Sequence, residues 1–280
     1  MSQWDKAAAV ILPVPYDLTT SYRAGTRHGP TAILQASAQL EWYDEELESE
    51  ICRVGIHTLP LMEPTASGAH RMIARVRNAA EILLEAGKFP VLLGGEHSLS
   101  LGVVEALGDR FPGVSVLFLD AHSDLRDAYQ QSKYSHACVG RRIAERWPLV
   151  QVGIRSLSLE EANYLKNSEI TVVMARDMET SWSGLDTTLT NLTDIVYISV
   201  DLDVLDPSIM PAVGTPEPGG LGWYQVLNIL RHVCARHRVV GFDVMELCPI
   251  SGNVAPDFLA AKLAYRLLGY SLRQGGIWEN

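Results

Sequence analysis

A chain of 280 residues with 47% apolar side chains is long enough to bury a substantial core, and it suits one large α/β domain or two small ones. A formal net charge of −10 disfavours nucleic acid as a partner and is compatible with a cationic substrate. No apolar run reaches the roughly eighteen residues of a membrane span, so no membrane association is expected.

The N-terminal Met1-Ser2-Gln3-Trp4-Asp5-Lys6 lacks the basic-then-apolar pattern of a signal peptide. Cys52, Cys138, Cys234 and Cys248 show no C-x-x-C pairing and read as reduced thiols, which predicts a cytoplasmic protein. Eight short apolar or β-branched runs are centred on 8–12, 51–56, 91–93, 114–119, 149–152, 170–174, 195–200 and 239–244. Helical patterns lie between most of them. They include 71–86 with Gly87 as its C-cap, a helix opened by the capping box Ser158-Leu159-Glu160-Glu161, and 223–236 and 257–268. Strands alternating with helices predict βαβ units and a mostly parallel sheet covered on both faces. With no repeat or charged linker, one domain over 1–280 is the simplest organisation.

In open parallel sheets, ligands bind beyond the carboxyl ends of the strands. Here charge collects at those ends. Asp17 follows the first run, and Gly94-Gly95-Glu96-His97 follows the third. Asp120-Ala121-His122-Ser123-Asp124 ends the fourth, and in extended chain its three metal-capable side chains point to one side. Asp201-Leu202-Asp203 ends the seventh and Glu246 follows the eighth. The loops at 25–33 and 214–220 are Gly/Pro-rich turns of the kind that frame such sites.

Carboxylate oxygens with neutral imidazoles suit Mn²⁺, and admit Ni²⁺, Co²⁺, Fe²⁺ or Zn²⁺. Without cysteine in these motifs, a thiolate-rich structural zinc site is disfavoured. Two cations roughly 3.5–4 Å apart can share carboxylates and a water, which ionises near neutral pH; this predicts metal-assisted hydrolysis. Taken singly, Asp-x-Asp is more often a helix cap and His97 more often a structural histidine. It is the combination that points to chemistry.

These stretches resemble the three signatures of the ureohydrolases, the arginase/agmatinase family: Gly94-Gly95-Glu96-His97-Ser98, Asp120-Ala121-His122-Ser123-Asp124, and 199–207 with Ser199-Val200-Asp201-Leu202-Asp203. Similarity extends from Thr20-Ser21-Tyr22-Arg23-Ala24-Gly25 through Val152-Gly153-Ile154-Arg155-Ser156 and 214–220 to Asp243-Val244-Met245-Glu246, nearly the whole chain. The resemblance implies a three-layer α/β/α fold with an eight-stranded sheet and two Mn²⁺ per subunit. It implies His97 and Asp124 as terminal ligands of one metal and His122 and Asp203 of the other, with Asp120 and Asp201 bridging. Asp124 would hold the attacking hydroxide and pass its proton to the departing amine. Glu246 would pair with the guanidinium, and His136 would shuttle protons. Relatives form trimers or hexamers, so a homo-oligomer is implied. Glu96 departs from the family, where many members have Asp. Ala137-Cys138 departs from the usual Gly-Thr or Gly-Met after the shuttle histidine.

The loop 125–134 lacks the Asn/Ser/Thr cluster with which arginases hold the ends of arginine, so arginine is disfavoured. Asp127 and Glu217 would supply negative potential around a cationic tail. This loop and the following 135–143 resemble agmatinases of the bacterial and archaeal type, and that resemblance implies agmatine as the substrate, giving putrescine and urea. N1-aminopropylagmatine giving spermidine, guanidinobutyrate and free guanidine are the alternatives, and Arg126 and Lys133 leave a carboxylate tail open. A zinc deacetylase of the same superfamily should carry one metal and histidine-rich motifs. A non-catalytic regulatory relative should have lost ligands, yet all six are present. A metal-storage protein has no use for Glu246 and His136.

Overall fold

The computed structural model describes residues 2–179 and 188–273. In chain order its strands are β1 (Ala9–Pro13), β2 (Tyr43–Asp44), β3 (Ser49–Glu50), β4 (Ile56–Thr58), β5 (Phe89–Leu93), β6 (Ser115–Leu119), β7 (Leu149–Ile154), β8 (Thr171–Met174), β9 (Ile195–Asp201) and β10 (Arg238–Met245). The helices are α1 (Gly29–Ser37), α2 (Ala69–Glu85), α3 (Ser100–Arg110), α4 (Val139–Ala144), α5 (Leu159–Leu165), α6 (Trp223–Arg236) and α7 (Ala255–Arg273). Eight strands form one sheet in the order β4-β1-β5-β10-β9-β6-β7-β8, and β2-β3 is a separate hairpin. Every pairing in the large sheet is parallel. This is the three-layer α/β/α architecture expected from the alternating runs.

Parallel strands need cover on both faces, which is why they read as unbroken apolar runs. In β6, Val116 and Phe118 face one core while Leu117 and Leu119 face the other, all fully buried. Helices α2, α3 and α4 close the first face; α1, α6 and α7 close the second. The buried residues Met72, Ile73, Val76, Ala80, Leu83 and Leu84 recur at helical spacing along α2. Each large side chain so buried contributes about 1.5–3 kcal/mol. Gly87, just past the end of α2, has φ +68°, the left-handed stop its sequence position predicts. The capping box at Ser158 is formed as predicted, with both of its hydrogen bonds.

Two elements differ from the sequence expectation. The run 51–56 divides: Ile51–Val54 is a 3-10 turn and only Ile56–Thr58 pairs in the sheet. Gly55 causes the break, with φ +77° and a Cβ position 2.4 Å from the Lys6 carbonyl oxygen, where no side chain fits. Helix α3 was not singled out because its sequence is apolar nearly all round and holds two glycines. Gly102 lets it press onto α2, its Cβ position lying 2.5 Å from the Ile73 carbonyl oxygen. Among the described residues no helix is long and apolar enough to cross a membrane.

The chain leaves β5 and resumes the sheet at β6, and β10 and β9 later fill the gap between them. That is the topological switch point of an open parallel sheet, where the crevice for a ligand falls.

Candidate metal centre

Each candidate ligand follows one of three of the four central strands. After β5 the chain turns through Gly94-Gly95. The Cβ position of Gly95 lies 1.9 Å from the Tyr16 carbonyl oxygen, so the turn tolerates no larger residue. The Glu96 N–H donates to that same oxygen at 2.8 Å, and His97 then opens a 3-10 turn into α3. After β6 the chain is not extended throughout, as the alternation of Asp120, His122 and Asp124 suggested. Asp124 adopts φ +50°, a left-handed conformation uncommon for a residue with a side chain. The capping-box Glu161 holds this turn: its Oε1 accepts from Ser123 Oγ and Leu125 N, both at 2.9 Å. After β9, Asp201 caps the 3-10 turn Leu202–Val204 by accepting from Asp203 N at 3.0 Å. Glu246 follows β10, the fourth of these strands, also left-handed at φ +65°.

The result is one cluster. His97 Nδ1 lies 3.1 Å from Asp120 Oδ2, 3.3 Å from Asp124 Oδ2 and 3.3 Å from Asp201 Oδ2. His122 Nδ1 lies 2.8 Å from Asp203 Oδ2 and 3.8 Å from Asp120 Oδ1. Two donor sets can each hold a cation, His97-Asp120-Asp201 and Asp120-His122-Asp203, with Asp120 common to both. The 3.1–3.3 Å separations around His97 suit neighbouring ligands of one ion with bonds of about 2.1 Å.

The electrostatics call for cations. Burial, then the neighbouring Asp203, Asp201 and Asp124, push the Asp120 carboxyl well above its ordinary range. Burial and Asp203 raise Asp201 to about 7. Burial also works against ionisation of Asp203, but His122, the Ala121 N–H and Arg155 outweigh it and hold this carboxyl at about 2. Burial would lower both imidazoles; the surrounding carboxylates more than reverse this and raise His122 to about 11. Protons thus collect where positive charge is wanted. The buried His97 Nδ1 and Asp120 Oδ2 have no hydrogen-bond partner, the condition in which an ion completes a site.

The other predicted residues divide. Glu246 is buried beside the cluster, and its Oε1 accepts from the His97 N–H at 2.7 Å. Burial and Asp201 hold its carboxyl well above the usual range. His136 lines a cavity of about 220 Å³ together with His122, Asp124, Arg126 and Tyr129. Its Nε2 is buried without a partner, and burial lowers its pKa. Glu217 does not line this cavity but lies beside one of its lining residues, its Oε1 3.7 Å from His122 Nε2. Asp127 is not brought to the cavity: its exposed carboxylate pairs with Arg142 at 2.9 Å and Lys133 at 3.5 Å. Asp17 is taken up within its own loop, accepting from Gly25 N at 2.9 Å and pairing with Arg27. The longer Glu96 reaches Thr19, whose N–H and hydroxyl donate to it at 2.6 and 2.7 Å. Thr19 Oγ1 in turn accepts from the His136 N–H at 2.9 Å, so Glu96 braces the His136 turn. Cys138 is fully buried and packs as a small apolar residue.

Sequence reasoning noted Arg155 only as part of a family motif and gave it no role. Its Nη2 donates to the Asp203 carbonyl at 2.7 Å and the Glu217 carbonyl at 2.8 Å, tying the loop 214–220 to the Asp203 turn. It likewise gave no role to Ser199 and Asp243, quoted only within motifs, or to Tyr197. Polar residues two apart in the apolar run of β9 share one face, and that was the available signal.

Fold, strand-end cluster and motif order define a binuclear-type metallohydrolase. Residues 7–269 match the Arginase family, and the chain belongs to it. It is 42% identical over 279 residues to the N(1)-aminopropylagmatine ureohydrolase of Synechocystis sp., covering 96% of this chain and 91% of that protein. It is 41% identical over 277 residues to the protein of that name from Thermus thermophilus, covering 98% and 93%. Among solved structures it resembles the agmatine ureohydrolase of Thermoplasma volcanium, with TM-score 0.87, 33% identity and coverage of 96% and 91%.

Proposed function

We propose that this arginase-family hydrolase releases urea from a linear guanidino amine, N1-aminopropylagmatine or agmatine, in polyamine synthesis. The observation that supports the reading is the placement of Glu246 against His97, a buried carboxylate suited to a guanidinium beside the candidate metal centre. The two similar ureohydrolases named for N1-aminopropylagmatine move that substrate ahead of agmatine. Loss of the loop that holds the ends of arginine supports both over arginine. The reading includes a single domain over 1–280 and a cytoplasmic homo-oligomer, trimer or hexamer. The free state of Cys52, Cys138, Cys234 and Cys248 supports a reducing compartment.

In this reading His97 and Asp124 would hold one divalent cation and His122 and Asp203 the other, with Asp120 and Asp201 available to both; manganese would suit the oxygen-rich set best. The cation pair supplies an ionised water as nucleophile near neutral pH. Glu246 orients the guanidinium with its carbon toward the cluster. Asp124 holds the proton remaining on the attacking oxygen and delivers it to the departing amine, so that water and guanidinium become urea and an alkylammonium. His136, neutral because burial lowers its pKa, takes up through the cavity the other proton, shed when the water ionises, and returns it to the amine, which leaves as the alkylammonium. Glu217, beside His122, attracts the distal ammonium groups.

One observation favours a second reading. Arg126 lines the same cavity, stacked over Tyr129 at 5.1 Å, and its nearest carboxylate contact, to Glu161, is 3.9 Å long. A cation there suits a carboxylate tail, as in guanidinobutyrate.

Urea release after Mn²⁺ loading tests both, with N1-aminopropylagmatine, agmatine, arginine, guanidinobutyrate and guanidine side by side. Preference for either of the first two bears out the proposal. Preference for guanidinobutyrate selects the Arg126 reading, and release from none of them overturns both.

A further inference from the structure

We propose that Asp243, acting through Ser199, is a positioning residue that fixes the orientation and tautomer of His97 and so sets the affinity of one of the two cation positions. The inference rests on the two-cation reading above.

Asp243 lies in β10, paired in register with Ser199 of β9 on one side and Leu92 of β5 on the other. It is fully buried at the centre of the sheet. A carboxylate in such a place is costly unless its oxygens are satisfied. Here both are. Oδ1 accepts from Ser199 Oγ at 2.7 Å and from Val200 N at 3.2 Å, and Oδ2 accepts from Tyr197 OH at 2.6 Å. None of these groups faces the cavity, and the mechanism above uses none of them.

Counting hydrogens gives the chain a direction. A serine hydroxyl has one hydrogen. Ser199 places it on Asp243 at 2.7 Å rather than on Ser100 Oγ at 3.3 Å. The Ser199 oxygen must therefore accept from its other neighbour, His97 Nε2, at 2.9 Å. With a cation bound, His97 would then keep its one proton on Nε2 and turn the Nδ1 lone pair to the space between Asp120, Asp124 and Asp201. That Nδ1 is the buried atom left without a hydrogen-bond partner. Ligating histidines owe their tautomer and ring orientation to the partner of the other nitrogen. In this chain the partner is a buried carboxylate one hydroxyl removed, braced by Tyr197.

Among the described residues His122 has no such support. Its Nε2 faces the half-exposed Glu217 at 3.7 Å. The two cation positions should therefore respond differently when the relay is cut.

Equilibrium dialysis of Mn²⁺ against full-length wild type, Ser199→Ala and Asp243→Asn tests this, with the melting temperature of each metal-free protein as a control. The expected result is two ions on wild type. Both variants should keep one ion at wild-type affinity and bind the other about 10–100-fold more weakly, with Ser199→Thr restoring it. Ser199→Ala should cost nothing further in a His97→Asn background. If Asp243→Asn does not fold, Ser199→Ala alone carries the test, since it leaves Asp243 bonded to Tyr197 and Val200. Unchanged affinity at both positions, equal weakening of both, or a full additional loss in the His97→Asn background overturns the relay and leaves the cation centre standing. Fewer than two ions on wild type overturns the two-cation reading, and the relay with it.

Discussion

The backbone N–H of His97 donates to the side chain of Glu246 at 2.7 Å, joining the turn after β5 to the turn after the neighbouring strand β10. A candidate metal ligand and the candidate guanidinium anchor are thus held in register by adjacent strands. Glu246 has one carboxylate oxygen committed to the backbone and one free for substrate. Glu246→Gln keeps the shape and removes the charge. It should lower kcat/KM by about tenfold or more, the worth of one hydrogen bond to a charged group, mainly through KM. Metal content measured by mass spectrometry should stay at two ions per chain. Released metal with unchanged KM would reassign Glu246 to the cluster.

Asp124→Asn should cut kcat by about 10²–10⁴-fold, the usual contribution of a positioned acid–base group. The fold should survive, because Asn tolerates the left-handed φ of +50° at this position. Steady-state kinetics and a thermal melt separate the two effects; near-wild-type turnover refutes the role given to Asp124.

Metal removal should make stability depend on pH. Asp201 in the metal-free cluster is raised from 3.8 to about 7, so ionising it is unfavourable in the fold. Its stabilisation is complete below about pH 4 and is lost as pH rises through 7. His122, raised from 6.5 to about 11, extends the loss upward, since its proton is held more tightly folded than unfolded. Asp203, held at about 2, acts only in the acid range below 3.8. His136 opposes the trend only below pH 6.5. Chelator-treated protein should therefore melt at lower temperature at pH 8 than at pH 5.5. Metal-loaded protein should reverse the order, because cations bind the deprotonated ligands. Calorimetry in both states checks it, and a metal-free protein that gains stability toward pH 8 contradicts the assignment.

Arg155→Lys keeps a positive charge and loses the planar fork that reaches the carbonyls of Asp203 and Glu217. It should destabilise metal-loaded protein by about 1–3 kcal/mol, since buried carbonyls lose donors. It should also raise KM more for N1-aminopropylagmatine than for agmatine, because the loop 214–220 carries Thr215 into the cavity lining and Glu217 beside His122. Equal KM changes for the two substrates would separate Arg155 from substrate length.

What was legible in the sequence follows from how local each feature is. The central strands showed as apolar runs because both faces of a parallel sheet are buried, and the ligand motifs stood out because each is contiguous at one strand end. The run 51–56 misled because one glycine with positive φ converts apolar sequence into a turn. Asp127 misled because its partner Arg142 lies fifteen residues away on the next helix. The Ser199–Asp243 link spans 44 residues and depends on strand order, which composition does not encode. Glu161 was legible as a cap, but its grip on the Asp124 turn required the fold.

The insertion of β10 and β9 between β5 and β6 bears on biosynthesis. Strands β4, β1 and β5 and strands β6, β7 and β8 leave the ribosome as two three-stranded groups with no mutual contact in the sheet. Until residues 195–245 arrive, the inner edges of β5 and β6 present unpaired backbone groups flanked by Leu92, Leu93, Leu117 and Phe118. His97, Asp120, His122 and Asp124 are made early, but the cluster closes only when β9 delivers Asp201 and Asp203. A nascent chain therefore passes through a long, adhesive half-sheet stage. On the two-cation reading, capture of the cations would come near its end, as the clasp joining the two halves.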